Sequence, residues 1–276
     1  MLKPRANGET EMSDAMNLQR LKLAVDGPIA RVTLDRPDVR NAFDDAAIVE
    51  LTAAFRALNN DASVRAIVLA ANGPAFCAGA DLNYMKRMAG FTEAENRADA
   101  LGLATMLNTI YTSAKPVIAR VQGDAYAGGM GLVAACDVAV SVDSAQFCLS
   151  EAKLGLMPAT IAPYVIRAMG ARAAHRYFVT AERFDAAEAL RIGFVHQVVT
   201  SDAFDATVDG IAASIAANSP NAVGECKRLV ADLADRVIDD VLISDTADRI
   251  ARIRASDEGR EGVRSFLEKR KPSWLG

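Results

Sequence analysis

The sequence holds few of the residues on which many enzyme classes depend. Of its 276 residues only two are histidine and one is tryptophan, and aromatic residues make up 6%. The histidines, His175 and His196, stand far apart in the chain, and two isolated histidines make a poor set of metal ligands. No Gly-x-Ser-x-Gly and no Gly-Lys-Ser/Thr sequence occurs. We therefore expect no metal, no nucleophilic serine of the hydrolase type and no P-loop.

Charge and cysteine usage exclude further classes. The chain has 35 acidic and 31 basic residues, a formal net charge of −4, so it offers no electrostatic reason to bind nucleic acid. The four cysteines show no Cys-x-x-Cys spacing and are typical of reduced thiols. Residues 1–17 are polar, without the apolar stretch of a signal peptide, and are expected to form a flexible leader. No apolar run approaches the roughly 20 residues of a membrane helix, so we predict a cytoplasmic protein with no membrane segment.

Apolar residues, 51% of the chain, suffice for a large buried core. Alternating apolar and polar residues at 21–25 and 29–34 predict a β-hairpin. Short apolar runs typical of strands buried on both faces lie at residues 66–70, 117–121 and 138–142, with a last strand expected at 194–199. After residue 200 strand patterns stop and helical patterns follow. We therefore predict an α/β core over residues 18–200 and a helical C-terminal region over 201–276.

Two glycine-rich loops, Ala78-Gly79 and Ala127-Gly128, each follow a buried strand. Such loops are ordinary in α/β chains, but they also allow backbone N–H groups of both loops to reach one site. Residues 129–134 match a dinucleotide-binding pattern, Gly-x-Gly-x-x-Ala. That pattern normally follows its strand directly, whereas several residues separate it here from Val121. We therefore reject a dinucleotide site.

Three segments together resemble the crotonase (enoyl-CoA hydratase/isomerase) superfamily. They are residues 76–82, residues 126–137 and residues 150–158, and the stretches 36–42 and 266–271 match as well. The resemblance runs in unbroken order over about residues 20 to 271. It implies a core of ββα turns wound into a spiral, with helical C-terminal residues that help to form a homo-oligomer, either a trimer or a dimer of trimers.

The resemblance also implies which residues act on an acyl-CoA thioester. The backbone N–H groups of Ala80 and Gly128 would form an oxyanion hole for the thioester oxygen, and Glu151 would be the acid–base residue. The substrate-binding positions that it implies are Arg40, Ala78, Asp81, Met85, Gly129, Gly131, Phe266 and Lys269. Lys269 and Phe266 match positions that reach the CoA nucleotide from a neighbouring subunit. Coenzyme A is expected as part of the substrate, and no separate cofactor.

One departure from the pattern bears on the reaction. Superfamily members that hydrate enoyl-CoA commonly use two glutamates, and Gly131 stands where the first is expected. A single carboxylate suffices for a 1,3 proton shift, which makes an enoyl-CoA isomerase the alternative.

A closer likeness favours hydration. Residues 79–85, 131–134 and 177–185 resemble bacterial methylglutaconyl-CoA hydratases, several of which also lack the first glutamate. We therefore expect a hydratase of a branched or carboxylated enoyl-CoA, whose acyl group enters the space left by Gly131. The further alternative, an inactive or RNA-binding scaffold, is disfavoured by the acidic charge balance and by the retention of Glu151.

Overall fold

A six-stranded sheet forms the centre of the fold. In a computed structural model, which describes Met16 and residues 18–276, its strand order is β1-β2-β3-β5-β7-β10. All the strands of both sheets are β1 (Leu21–Asp26), β2 (Ile29–Leu34), β3 (Ala66–Ala71), β4 (Ala75–Cys77), β5 (Val117–Val121), β6 (Asp124–Tyr126), β7 (Val138–Val142), β8 (Gln146–Cys148), β9 (Arg183–Asp185) and β10 (Gln197–Val199). The predicted leader, apart from Met16, lies outside the described residues.

The predicted hairpin and the buried strands are confirmed. β1 and β2 pair antiparallel, and the remaining neighbours in the central sheet pair parallel. Every residue of β3 is buried, as expected for a parallel strand covered on both faces. The last strand is shorter than predicted, because Phe194 and Val195 lie before it and pack into the core.

A second, smaller sheet was not predicted from the sequence. Its strands β4, β6, β8 and β9 have three residues each, with β4, β6 and β8 parallel. Each of these three comes directly after a central strand, so the chain alternates between the two sheets. Their register pairs Ala125 with Cys77 and Tyr126 with Cys148. The loops that follow β4, β6 and β8 therefore leave the same edge of the small sheet.

Helices cover the sheets, and most of them start at a residue whose side chain caps the helix. They are α1 (Asp45–Asn60), α2 (Leu82–Met88), α3 (Glu93–Tyr111), α4 (Gly128–Ala134), α5 (Ala162–Thr180), α6 (Ala186–Arg191), α7 (Phe204–Ala217), α8 (Pro220–Leu233), α9 (Asp240–Ala255) and α10 (Asp257–Leu267). Asp44 caps α1 by accepting a hydrogen bond from the Ala47 N–H at 2.9 Å. Thr92 and Glu95 form a reciprocal capping box at the start of α3, which satisfies two N–H groups at once. The fold is therefore α/β, as predicted.

The C-terminal region is helical, and only its first helix is well buried. α7 packs on β3 and β7 through Phe204, Val208 and Ala212. The last turn is tied to the core because Arg65 donates a hydrogen bond to the Trp274 carbonyl at 2.6 Å. Over α8, α9 and α10 only Leu242 and Ser265 are buried. Within the described part of the chain no helix is both long and apolar enough to cross a membrane.

Candidate active site

Glu151 lies directly after the small sheet, at the start of a 3₁₀ turn, Glu151–Leu154, that follows β8. Its side chain is partly buried, and its Oε2 atom is fully buried with no hydrogen-bond partner among the described residues. Burial raises the pKa of the Glu151 carboxyl above its ordinary value of 4.5, and a backbone hydrogen bond offsets only part of that rise. A carboxyl that is desolvated and unpartnered is suited to exchange protons with a ligand.

The Ala80 N–H is free although the loop around it is hydrogen-bonded to Phe43. Phe43 forms a parallel bridge to Ala80: its N–H donates to the Gly79 carbonyl at 2.9 Å, and its carbonyl accepts from the Asp81 N–H at 3.0 Å. Both peptide groups beside Ala80 are thereby fixed. The Ala80 N–H itself has no acceptor among the described residues, so it is available to a ligand.

The second loop contacts the first, and small residues make the contact possible. A Cβ on Gly79, whose φ is +91°, would lie 3.1 Å from the Ala127 Cβ and 3.7 Å from the Gly128 nitrogen. A Cβ on Gly129 would lie 2.3 Å from the Cys77 carbonyl oxygen. Within the part of the chain that is described, the Gly128 N–H also has no acceptor. The structure thus places two free N–H donors on adjoining loops.

The Glu151 loop is joined to this pair. Ala127 donates its N–H to the Cys148 carbonyl at 2.8 Å, and Cys148 precedes Glu151 by three residues. Backbone N–H donors held in place stabilise negative charge that develops on a carbonyl oxygen, and each is typically worth about 2.7–4 kcal/mol in the transition state. The arrangement can therefore stabilise negative charge on a carbonyl oxygen near the loop that carries Glu151.

The Asp81 carboxylate is engaged within the protein. One carboxylate oxygen accepts from the N–H groups of Asn83 at 2.8 Å and Tyr84 at 3.2 Å, which caps α2, and the other lies 2.9 Å from Arg36. Burial acts to raise the pKa of Asp81, but these hydrogen bonds and the guanidinium outweigh burial and lower it. Asp81 therefore holds its loop in place, and its predicted contact with substrate stays a prediction.

Gly131 does not open a space for the acyl group. A Cβ at this position would lie 2.3 Å from Cγ2 of Ile161 and 3.6 Å from Cδ2 of Leu107. Ile161 precedes α5 and is buried. Its side chain therefore occupies the direction in which a side chain at 131 would point. The prediction that substrate enters there is corrected, because Gly131 accommodates a packing contact.

Three other predicted residues lie in or beside the loops. Arg40 has a φ of +54°, and its carbonyl accepts the Ala78 N–H at 3.0 Å, while its side chain is exposed. Ala78 and Met85 are partly buried. Their contacts with substrate stay predictions.

Phe266 and Lys269 lie apart from these loops along the chain, at the end of α10 and just after it. Phe266 is 82% exposed. α10 packs chiefly against α8 and α9, so within one chain the predicted contact of these residues with CoA stays a prediction. No group of three or more His, Cys, Asp or Glu that could hold a metal occurs among residues 16 and 18–276.

Three residues that shape the site were not predicted to do so: Arg36, Phe43 and Ile161. In the sequence, Arg36 stands out only as part of a stretch that matches the superfamily, and Phe43 and Ile161 look like ordinary core residues. Only their contacts, with partners 30 or more residues away in the chain, show their roles.

Comparisons with known proteins agree with this geometry. The family model described as Enoyl-CoA hydratase/isomerase matches residues 25–276. An enoyl-CoA hydratase of Shewanella pealeana has a solved structure that superposes with a TM-score of 0.93 at 42% identity, covering 96% of this chain and 100% of that one. AtuE of Pseudomonas aeruginosa gives 0.89 at 35% identity, over 94% and 100%. The mevalonyl-coenzyme A hydratase sidH of Aspergillus fumigatus is 32% identical, over 89% of this chain and 91% of its own.

Proposed function

This chain belongs to the enoyl-CoA hydratase/isomerase family, and we propose that it adds water to an enoyl-CoA thioester with a branched or carboxylated acyl group. The observation that carries the proposal is the buried, unpartnered oxygen of Glu151, on a loop joined to the two free N–H donors of Ala80 and Gly128. Such a site supplies what hydration of an α,β-unsaturated thioester requires, namely a proton carrier and a holder for negative charge.

The proposed reaction uses one carboxylate twice. The Glu151 carboxylate accepts a proton from water as the water oxygen bonds to the β-carbon, and the electrons of the double bond move onto the thioester oxygen. The N–H groups of Ala80 and Gly128 stabilise that enolate oxygen. Glu151 then returns the proton to the α-carbon, so one water has been added and the carboxylate is restored.

A branched or carboxylated substrate is supported by likeness. The stretches 79–85, 131–134 and 177–185 resemble methylglutaconyl-CoA hydratases of branched-chain amino acid breakdown. The Aspergillus relative, 32% identical, is named for another branched acyl-CoA, mevalonyl-CoA.

The second candidate function is isomerisation of an enoyl-CoA. Gly131 has no side chain that could position water, and Ile161 lies where such a side chain would point. Glu151 alone can take a proton from one carbon of a 3-enoyl thioester and return it two carbons away, through the same stabilised enolate. This reaction requires no ordered water.

The test is a set of thioesters followed in both directions. Hydration removes the absorbance of the conjugated enoyl thioester, whereas isomerisation of a 3-enoyl-CoA creates it. We expect kcat/KM to be highest for hydration of methylglutaconyl-CoA, lower for crotonyl-CoA, and low for isomerisation. A higher kcat/KM for the 3-enoyl substrate would reverse the ranking. No turnover of any thioester would favour the scaffold alternative.

We also propose a cytoplasmic homo-oligomer, a trimer or a dimer of trimers, in which Phe266 and Lys269 reach the CoA of a neighbouring subunit. The support is the exposed apolar surface of the C-terminal region, where Val237 and Ile238 are each 80% exposed. Truncation before Glu261 is expected to weaken both assembly and CoA affinity. Light scattering at micromolar concentration measures the first and calorimetric titration with CoA the second. A monomeric full-length chain would contradict this assembly.

A further inference from the structure

The Arg36 side chain joins two segments that border the oxyanion donors. One guanidinium nitrogen lies 2.9 Å from the Asp81 carboxylate. The other donates to the Ala42 carbonyl at 2.7 Å and lies 3.4 Å from the Asp44 carboxylate. A planar guanidinium presents its donors in a fixed fork, so these three contacts fix the distance between residues 42–44 and residue 81.

Phe43 lies between Ala42 and Asp44 in the chain, and it contacts both loops that carry the donors Ala80 N–H and Gly128 N–H. Its backbone holds the peptide groups on either side of Ala80 through hydrogen bonds of 2.9 and 3.0 Å. Its ring lies on the second loop, because a Cβ at Gly128 would be only 2.4 Å from the Phe43 Cζ. A shift of Phe43 would therefore move the Ala80 N–H and the Gly128 N–H relative to each other.

The charge of Arg36 is needed to keep the segments together. The side chains of Asp81 and Asp44 are only 7% and 11% exposed, and two poorly solvated carboxylates repel each other unless a cation lies between them. Arg20 also pairs with Asp44, at 3.1 Å, but among the described residues only Arg36 contacts both carboxylates. Without Arg36 the two segments are expected to separate.

We propose that Arg36 is a positioning residue that sets the spacing of the two oxyanion donors, Ala80 N–H and Gly128 N–H. It touches neither substrate nor reacting atoms, and it acts through Asp81 and Phe43. This inference rests on the proposed function, since it concerns donors that act on a thioester oxygen. It predicts that substitution of Arg36 changes catalysis more than it changes substrate binding.

The test compares Arg36→Gln with Arg120→Gln, a matched control. Arg120 is as buried as Arg36, at 18% against 20% side-chain exposure, and forms an ion pair with Asp205 on α7. Because a misplacement of about 1 Å can cost about 100-fold, we expect Arg36→Gln to lower kcat about 10- to 100-fold with KM within about threefold. Arg120→Gln should leave kcat unchanged even if Tm falls.

A spectroscopic readout separates positioning from mere stability. The infrared C=O stretch of a bound, ¹³C-labelled, unreactive acyl-CoA shifts to lower frequency when both donors engage the oxygen. Arg36→Gln should lose much of that shift, and Arg120→Gln should keep it. Arg36→Lys, which retains the charge without the fork, should fall between them. If Arg36→Gln does not fold, Arg36→Lys and Asp81→Asn carry the test, since the asparagine oxygen still caps α2.

The outcomes distinguish this inference from the proposed function. In one outcome the wild type turns over enoyl-CoA while the folded Arg36 and Asp81 variants keep its kcat and its carbonyl shift. That result would refute the positioning role of Arg36 and leave the proposed function standing. If the wild type neither turns over a thioester nor shifts its carbonyl, the proposed function is refuted and the inference with it. In a double variant, Arg36→Gln with Asp81→Asn, the losses in kcat should be less than additive.

Discussion

Replacing Glu151 by Gln should remove nearly all activity and at the same time stabilise the fold. Glutamine keeps the shape of the side chain but cannot carry a proton at neutral pH. General acid–base residues typically contribute about 10²–10⁴-fold, so kcat should fall by about that factor. The substitution also removes a charge whose Oε2 is buried without a partner, and burying an unsatisfied charged group costs free energy.

The sign of the stability change follows from the pKa of Glu151. Because burial raises that pKa in the folded protein, the unfolded state ionises at lower pH than the folded state. The stability contributed by the protonated carboxyl is therefore lost as the pH rises from 4.5, the ordinary pKa of glutamate, through the raised pKa of Glu151 in the folded protein. At pH 7 the neutral glutamine should gain about 1 kcal/mol, equivalent to about 2–4 °C in Tm.

Glu188→Gln is the matched control, with the opposite expected sign in stability. Hydrogen bonds from Arg191, at 2.5 and 2.7 Å, and from Tyr177, at 2.7 Å, lower the pKa of Glu188 to about 2. Its stabilising contribution is present above its ordinary pKa and is lost as pH falls towards 2. At pH 7 Glu188→Gln should therefore lower Tm while leaving kcat intact.

Calorimetry and steady-state kinetics on the two variants provide the assay. In the wild type the acid limb of the kcat/KM profile should lie above pH 4.5, as the raised pKa of Glu151 requires. A Glu151→Gln protein with a lower Tm than the wild type would refute the reasoning on burial. One that retained more than a small fraction of the wild-type rate would refute the assignment of Glu151 as the proton carrier.

Two further substitutions test the packing around the loops. Gly131→Ala should lower the free energy of unfolding by about 1–3 kcal/mol, because its Cβ would meet Ile161 at 2.3–2.9 Å. Urea unfolding measures this loss, and a second change, Ile161→Ala, should recover part of it. A Gly131→Ala protein as stable as the wild type would contradict this contact. Gly129→Ala should separate the two loops at the Cys77 carbonyl and lower kcat at least tenfold, a direction consistent with the cost of misplaced donors. Gly210→Ala on α7 is the control, because nothing lies within 4 Å of its new Cβ, and it should leave kcat unchanged. Equal kcat values for Gly129→Ala and Gly210→Ala would contradict the idea that the spacing of the two loops matters for catalysis.

Local patterns in the sequence predicted the parts of the fold that repeat over several residues. β3, β5 and β7 have five or six residues each, which is enough for an apolar run to stand out. The hairpin and the helical C-terminal region were predicted for the same reason. The three-residue strands of the small sheet were not predicted, because no periodicity is measurable over so short a length.

Three groups of the candidate site were predicted from the resemblance to known proteins, and not from a local pattern. Ala80, Gly128 and Glu151 come after β4, β6 and β8, at positions that the resemblance to crotonases marks. The roles of Asp81 and Gly131 depend on contacts with Arg36 and Ile161, which are 45 and 30 residues away in sequence. No local pattern reports such contacts, so the sequence could not show that Asp81 caps a helix or that a packed side chain lies beside Gly131.

Two of the three groups in this site are peptide N–H groups and belong to no side chain. A codon change at Ala80 or Gly128 alters bulk near the donor but leaves the donor atom present, and of the twenty amino acids only proline lacks it. A deep mutational scan would therefore record positions 80 and 128 as sensitive to volume and to proline, and position 151 as sensitive to chemistry. Substitutions can remove the Glu151 carboxylate far more readily than they can remove these two N–H donors. A scaffold with this property can change its proton-transfer chemistry while keeping two donors for negative charge on an oxygen.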